Sequence, residues 1–313
     1  MTPYRDIPDR RDGRVYVMPE RIDLAVQVAL ATGRPLLLRG DPGSGKSSLA
    51  PYVARHRNWR YYEHVVTSRT TGKDLLWTFD HVRRLSDAQL GRHGADFEDQ
   101  NYVTPGALWW AFDPVSASGR DTMEADRRRR DPLHEVNSTR SPYHSVVLID
   151  EIDKADPDMP NSLLVPLGSQ WFMVQETGET VTRQRPEGGS GDAGTLVIIT
   201  TNEERELPQA FLRRCVVLTL DQPDHERLVR IAEAHFTSSF GAFSPEERRL
   251  AEEIAAALLE IRVQAREMGL RPPSTAEFLD ALHACRTLDI DTGSAHWAQL
   301  RELTLLKPQQ LRV

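Results

Sequence analysis

The sequence predicts an α/β protein, a parallel five-stranded sheet between helices, followed by an all-helical domain. Three observations predict it. Short, near-continuous apolar runs alternate with helical patterns up to about residue 220, as in a parallel sheet covered on both faces. A glycine-rich loop joins the first run directly to a helical segment. Beyond residue 220 the strand signals stop and amphipathic helices with start signals take over.

Each element has its own reason. Ile22, Ala25, Val28 and Ala29 recur at helical spacing and predict a helix over 20–32, with Gly33 as its stop. Apolar runs predict strands at 36–39, 59–66, 146–149, 195–200 and 216–220. The helix after the glycine loop is expected over 49–57. Pro51 falls inside it, where an interior proline costs about 3 kcal/mol, so this helix should bend or start late. Pro160 and Pro166 raise the same question for the helix after Asp156. Residues 1–220 thus read as the sheet domain, with insertions at about 67–145 and 171–194, and 221–313 as the helical domain. Within the first insertion, 75–112 carries Trp77, Phe79, Trp109, Trp110 and Phe112, enough apolar mass to pack, whereas 113–144 is polar and expected to be mobile. The second insertion places Gly178 between two strand-like runs, a hairpin over 171–185 followed by a flexible tether at 187–194. In the helical domain, Ser244 with Glu247 and Ser274 with Glu277 fit the capping box, and Leu250, Ile254, Leu258 and Ile261 trace one helix face.

Composition excludes several classes. The 313 residues suggest about two domains. With 39 Lys plus Arg against 46 Asp plus Glu the net charge is −7, which argues against a general nucleic-acid surface. No apolar run approaches the roughly 20 residues of a membrane helix, and the N-terminal stretch lacks the apolar core of a secretion signal. A cytoplasmic location is therefore expected. Cys215 and Cys285 stand alone, without metal-site spacing, and read as buried small hydrophobes. The ten histidines show no metalloprotease or triad spacing. The basic run 127–130 is flanked by Glu124, Asp126 and Asp131 and reads as a solvated loop. Asp153-Lys154-Ala155-Asp156 resembles a guanine-reading pattern, but its first residue is Asp and it adjoins an acidic pair, so guanine recognition by that route is not expected.

Chemistry concentrates at two places. The loop Gly40-Asp41-Pro42-Gly43-Ser44-Gly45-Lys46-Ser47-Ser48 meets the pattern G-x-x-x-x-G-K-[ST] between a strand and a helix. Its glycines let backbone amides turn inward, and with the helix N-terminus they form a positive cradle for phosphate oxygens. Lys46 would reach the β- and γ-phosphates, and Ser47 would ligate Mg²⁺. Asp150 and Glu151 close the apolar strand 146–149, where a parallel sheet puts its active edge. Asp150 would hold Mg²⁺ through a water, and Glu151 would polarise the water that attacks the γ-phosphate.

With these residues the chain resembles the AAA+ ATPases, and more narrowly the MoxR-like ATPases, over most of its length. Gly40 to Ser47 is similar to Walker A and Asp150-Glu151 to Walker B. The resemblance implies ATP as substrate with Mg²⁺, a γ-phosphate sensor at Asn202, and an arginine finger at Arg213 or Arg214 that enters a neighbouring subunit. It further implies a sensor-2 role for Arg271, although Ala276 stands where many relatives carry an arginine. The insertions resemble the helix 2 insertion and the hairpin preceding sensor 1. The implied assembly is a homo-hexamer acting on a client protein, often with a von Willebrand factor A domain adaptor. A second reading keeps the same residues but makes the chain an ATP-dependent assembly or signalling switch, for example in defence, with incidental hydrolysis.

Overall fold

The computed structural model describes residues 13–92, 94–119, 129–185 and 194–306. Arg127 and Arg128 of the basic run, and nearly all of the 187–194 tether, lie outside those residues. Helix α1 (Glu20–Thr32) buries Ile22, Ala25, Val26 and Ala29, and ends at Gly33, whose φ of 64° suits a residue without a Cβ. Next come β1 (Leu36–Arg39), α2 (Lys46–His56) and β2 (Trp59–Val65). The first insertion supplies β3 (Trp77–Phe79), α3 (His81–Gln89) and β4 (Val103–Pro105), with β3 and β4 paired antiparallel. Three short helices, α4 (Ala107–Phe112), α5 (Pro114–Ser118) and α6 (His134–Asn137), lead into the long strand β5 (Ser141–Asp150). Then follow α7 (Met159–Ser162), α8 (Leu164–Ser169), the hairpin β6 (Trp171–Met173) and β7 (Thr180–Thr182), β8 (Gly194–Thr201), α9 (Gln209–Leu212) and β9 (Val216–Thr219). The C-terminal helices are α10 (His225–Phe240), α11 (Pro245–Glu267), α12 (Thr275–Leu288) and α13 (Ala295–Thr304).

The five-stranded sheet is parallel throughout, in the order β2-β5-β8-β1-β9. Leu36 to Leu38 and Val146 to Ile149 are fully buried, which explains why these strands read as unbroken apolar runs. By compactness the chain divides into two units that interleave in sequence: residues 20–39 with 53–219, and 1–19 with 40–52 and 220–313. The first unit holds the sheet and both insertions. Its core joins Leu37, Tyr62, Val147 and Ile199 of the strands to Trp77, Trp109, Phe112 and Phe172 of the insertions. The second groups the glycine loop with the C-terminal helices, whose core packs Leu228, Phe236, Ile254, Leu258, Phe278 and Leu282. Both capping boxes form, Ser244 with Glu247 and Ser274 with Glu277. Among the described residues no helix is long and apolar enough to cross a membrane.

Two expectations need correction. The described part of 113–144, though mostly exposed or half-buried, forms short helices and buries Pro114, Ala117, Ser118 and Asn137. Asp113 caps α5 by accepting from the amides of Val115 and Ser116. Asn137, 2% exposed, accepts from Tyr61 N (2.9 Å) and donates to Tyr61 O (3.1 Å), satisfying backbone groups of the edge strand β2. Polar composition hid a polar residue at work inside the fold. Helix α2 does not start late: it begins at Lys46 and runs through Pro51 to His56. The segment after Asp156 breaks into α7 and α8. Pro160 and Pro166 each fall in a first turn, where a missing amide proton is tolerated.

Candidate active site

Because β1, β5 and β8 are parallel, their C-terminal ends share one edge of the sheet. Asp150 is the last residue of β5, Thr200 and Thr201 close β8 ahead of Asn202, and Gly40 follows the last residue of β1 in the chain. Asp150 is 2% exposed. The Thr200 hydroxyl donates to Asp150 Oδ1 at 2.7 Å and accepts the Glu151 amide at 2.8 Å, so one side chain aligns both acids. Asn202 Nδ2 donates to Glu151 Oε1 at 3.2 Å. The other carboxylate oxygen of Glu151 lies 3.3 Å from Lys154 Nζ, and that bond raises the lysine above its ordinary range. Glu151 itself has φ 61° and ψ 51°, a left-handed conformation that costs a non-glycine residue about 1 kcal/mol or more. The bonds from Thr200 and Asn202 hold it there. The structure thus brings Asp150, Glu151 and Asn202 together through Thr200 and the Asn202 amide.

The glycine loop belongs to the other compact unit. Gly43 and Gly45 have φ of 80° and 92°, and a Cβ on Gly43 would come within 2.3 Å of the Ser274 Cβ, so neither position accepts a side chain. Lys46, 6% exposed, donates to the carbonyls of Gly40 (2.5 Å) and Asp41 (2.9 Å). Asp41 accepts from Gln222 Nε2 at 3.2 Å and lies 3.9 Å from Arg266 Nη2. Tyr16 lies beside Gly45, its phenol pushed up to about 12 by burial, with Arg227 partly offsetting. Arg262 is 3% exposed and donates to the carbonyls of Pro273 and Pro223. Burial pulls its guanidinium down to about 10, and Nη2 has no partner. The buried Ser44 hydroxyl is also without a partner. A buried ammonium, an unsatisfied guanidinium nitrogen and an unsatisfied hydroxyl at a loop whose glycines leave its backbone uncovered fit a polyanionic phosphate chain. Arg271 is more exposed, 3.8 Å from Glu277. Ser47 and Ser48 lie in the first turn of α2.

Residues 35–215 match the family described as AAA domain (dynein-related subfamily). The chain belongs to that family. This AAA protein is a nucleotide-binding ATP hydrolase. No curated protein matches it. Similar solved structures include a candidate ATPase from Cytophaga hutchinsonii, 15% identical over 90% of this chain and 77% of that one, with a TM-score of 0.45. Two variants of RuvB from Thermotoga maritima are 14% identical, cover 92% and 91% of this chain and 70% and 67% of theirs, and give TM-scores of 0.46 and 0.44.

In the AAA protein's α9 region, Arg213 and Arg214 are both exposed. Arg214 Nη1 donates to Ala210 O at 3.1 Å, and the Arg213 carbonyl accepts from Arg34 Nη1 at 3.5 Å. Both cysteines are buried, and burial pushes their thiols up to about 11, in keeping with a packing role. Sequence reasoning missed Thr200 as the bridge between the acids, Arg262 and Tyr16 beside the glycine loop, and Asp153. Thr200 was visible only as part of a strand end. Arg262 sits on a helix whose apolar period drew attention to its neighbours.

Proposed function

We propose that this AAA ATPase is a ring-forming, MoxR-like, chaperone-like motor that uses ATP to remodel or activate a client protein.

 The laced set of Asp150, Thr200, Glu151 and Asn202, at the sheet edge where the glycine loop begins, supports this reading most. In it, Gly40, Asp41, Pro42, Gly43, Ser44, Gly45, Lys46, Ser47 and Ser48 cradle the triphosphate, and Ser47 and Asp150 hold Mg²⁺. The ion supplies neutralisation of the charge on the phosphate oxygens. Glu151 orients and polarises the attacking water, with its direction fixed by the Asn202 amide. Arg213 or Arg214 reaches the site of the next subunit in a homo-hexamer, and Arg271 approaches the γ-phosphate from the C-terminal helices. The client side involves the two insertions and, by family resemblance, a von Willebrand factor A domain adaptor. The setting is cytoplasmic, without a nucleic-acid partner.

The deciding experiment is Glu151→Gln in the full chain. MgATP binding should be retained while turnover falls by about 10² to 10⁴, the usual contribution of a positioned proton acceptor. Turnover at the wild-type rate would remove Glu151 from the chemistry and overturn the reading.

A further inference from the structure

We propose that Asp153 is a positioning residue for hydrolysis, holding the turn after β8 so that the Asn202 amide reaches Glu151. The proposal rests on the reading above, in which Glu151 and Asn202 act at the γ-phosphate.

Asp153 stands two residues after Glu151, in the single 3₁₀ turn 152–154, and is 3% exposed. Its neighbours Ile152 and Ala155 are buried apolar side chains. A carboxylate in such surroundings is costly unless it is hydrogen-bonded. Oδ2 accepts two backbone amides from the turn after β8, Asn202 N at 3.2 Å and Glu204 N at 3.0 Å. Two amides converging on one oxygen make a small anion nest whose anion belongs to the chain itself. Between them Glu203 has φ 60°, a left-handed conformation that persists only where surrounding bonds enforce it. Glu203 N donates to Thr201 Oγ1 at 2.9 Å, which closes the turn.

The consequence is a frame with two clamps. Thr200 ties the acids to the end of β8, and Asp153 ties the following turn back to the segment that carries Glu151. The 3.2 Å bond from Asn202 to Glu151 lies between the clamps. Removing the Asp153 carboxylate leaves two amides unpaired and frees Asn202 to move away from Glu151. A displacement of Asn202 would likewise be carried to the 152–154 turn and so to Glu151. Asp153 Oδ1 is buried without a partner, so the carboxylate is held by one oxygen alone.

The test is a double-mutant cycle on the full chain, with kcat and KM for MgATP measured for Asn202→Ala, Asp153→Ala and the double variant. Each single variant should lower kcat about tenfold with KM nearly unchanged, and the double should be no slower than Asn202→Ala alone, within about twofold. Asp153→Asn keeps an oxygen for both amides and should restore kcat to within about threefold of wild type. Multiplying effects, about a hundredfold loss in the double, would overturn the proposal while leaving the role of Asn202 intact. An Asp153→Asn protein as slow as Asp153→Ala would also overturn it. Asn202→Ala at the wild-type rate would instead overturn the reading of Asn202, and the proposal with it. If Asp153→Ala does not fold, Asp153→Glu, which displaces the carboxylate by one methylene, enters the same cycle.

Discussion

Two regions that the proposed mechanism needs together are built in opposite ways. At the sheet edge, hydrogen bonds join Asp150, Glu151, Asp153, Thr200, Asn202 and Glu204 into one laced group, with Asp150, Asp153 and Thr200 buried. At the end of α9, Arg213 and Arg214 are exposed, and among the described residues no carboxylate pairs with either guanidinium. Groups that act within their own subunit are preorganised, so that little reorganisation remains when charge shifts during reaction. In the proposed ring, the arginines that would act on a neighbour are left loose, and their ordering cost, up to about 2 kcal/mol for an arginine side chain, would arise only when the neighbour arrives.

The largest effect that would sharpen this contrast is expected at Lys46. Lys46→Ala removes the buried ammonium of the glycine loop and should weaken MgATP binding by up to about two orders of magnitude, since a hydrogen bond to a charged group contributes about 1.5–3 kcal/mol, roughly twice a neutral one. Titration with a fluorescent ATP analogue reads this directly; unchanged affinity would place the triphosphate elsewhere. The arginine pair should behave differently. Arg213→Ala with Arg214→Ala should leave binding intact and cost about 10³ or more in turnover, as for other arginines supplied in trans. Turnover per subunit of the unmutated protein should also fall on dilution. If it does not, the exposed arginines are ordinary surface residues and the contrast breaks. Third comes Thr200→Val, which keeps the shape and deletes the bridging hydroxyl. It leaves the Glu151 amide unpaired and should cost about 1–3 kcal/mol in unfolding free energy, together with a loss of turnover.

The same contrast explains what could be read from the sequence. Strand ends, the glycine loop and the acidic pair were legible because their signals are local: an apolar run, a spacing of eight residues, two acids after a strand. Both capping boxes were legible for the same reason, since each closes within three residues. Asp153 and Thr200 were not, because their partners lie 49 to 51 positions away in the chain. Asn137 and Glu176 serve groups 76 and 103 positions distant, and nothing beside either residue signals that duty. Reading such residues requires knowing which strands and loops meet, which is information the fold supplies.

Glu176 provides the smallest predicted effect and a control for the contrast, because it is a laced carboxylate away from the sheet edge. It follows β6 in the hairpin and reaches the first insertion: Oε1 lies 2.5 Å from Lys73 Nζ, and Oε2 accepts from Trp77 Nε1 at 2.7 Å. Trp77 in turn stacks on Phe172 of β6, with ring centroids 5.7 Å apart. Burial alone would raise the Glu176 carboxyl, but the bonds from Lys73 and Trp77 outweigh it and hold the group below its ordinary value. A carboxylate depressed in the folded state contributes stability that is present above the ordinary carboxylate range and is lost as pH falls through the folded value. Lys73 is partly solvated, its side chain 39% exposed, so the contribution is modest. Glu176→Gln should therefore lower unfolding free energy by about 1 kcal/mol at neutral pH, with the gap to wild type closing below about pH 4. Denaturant titrations at pH 7 and at steps down to acid measure both. A gap that stays constant with pH would mean that packing of Trp77 on Phe172, rather than the charged bridge, joins the two insertions.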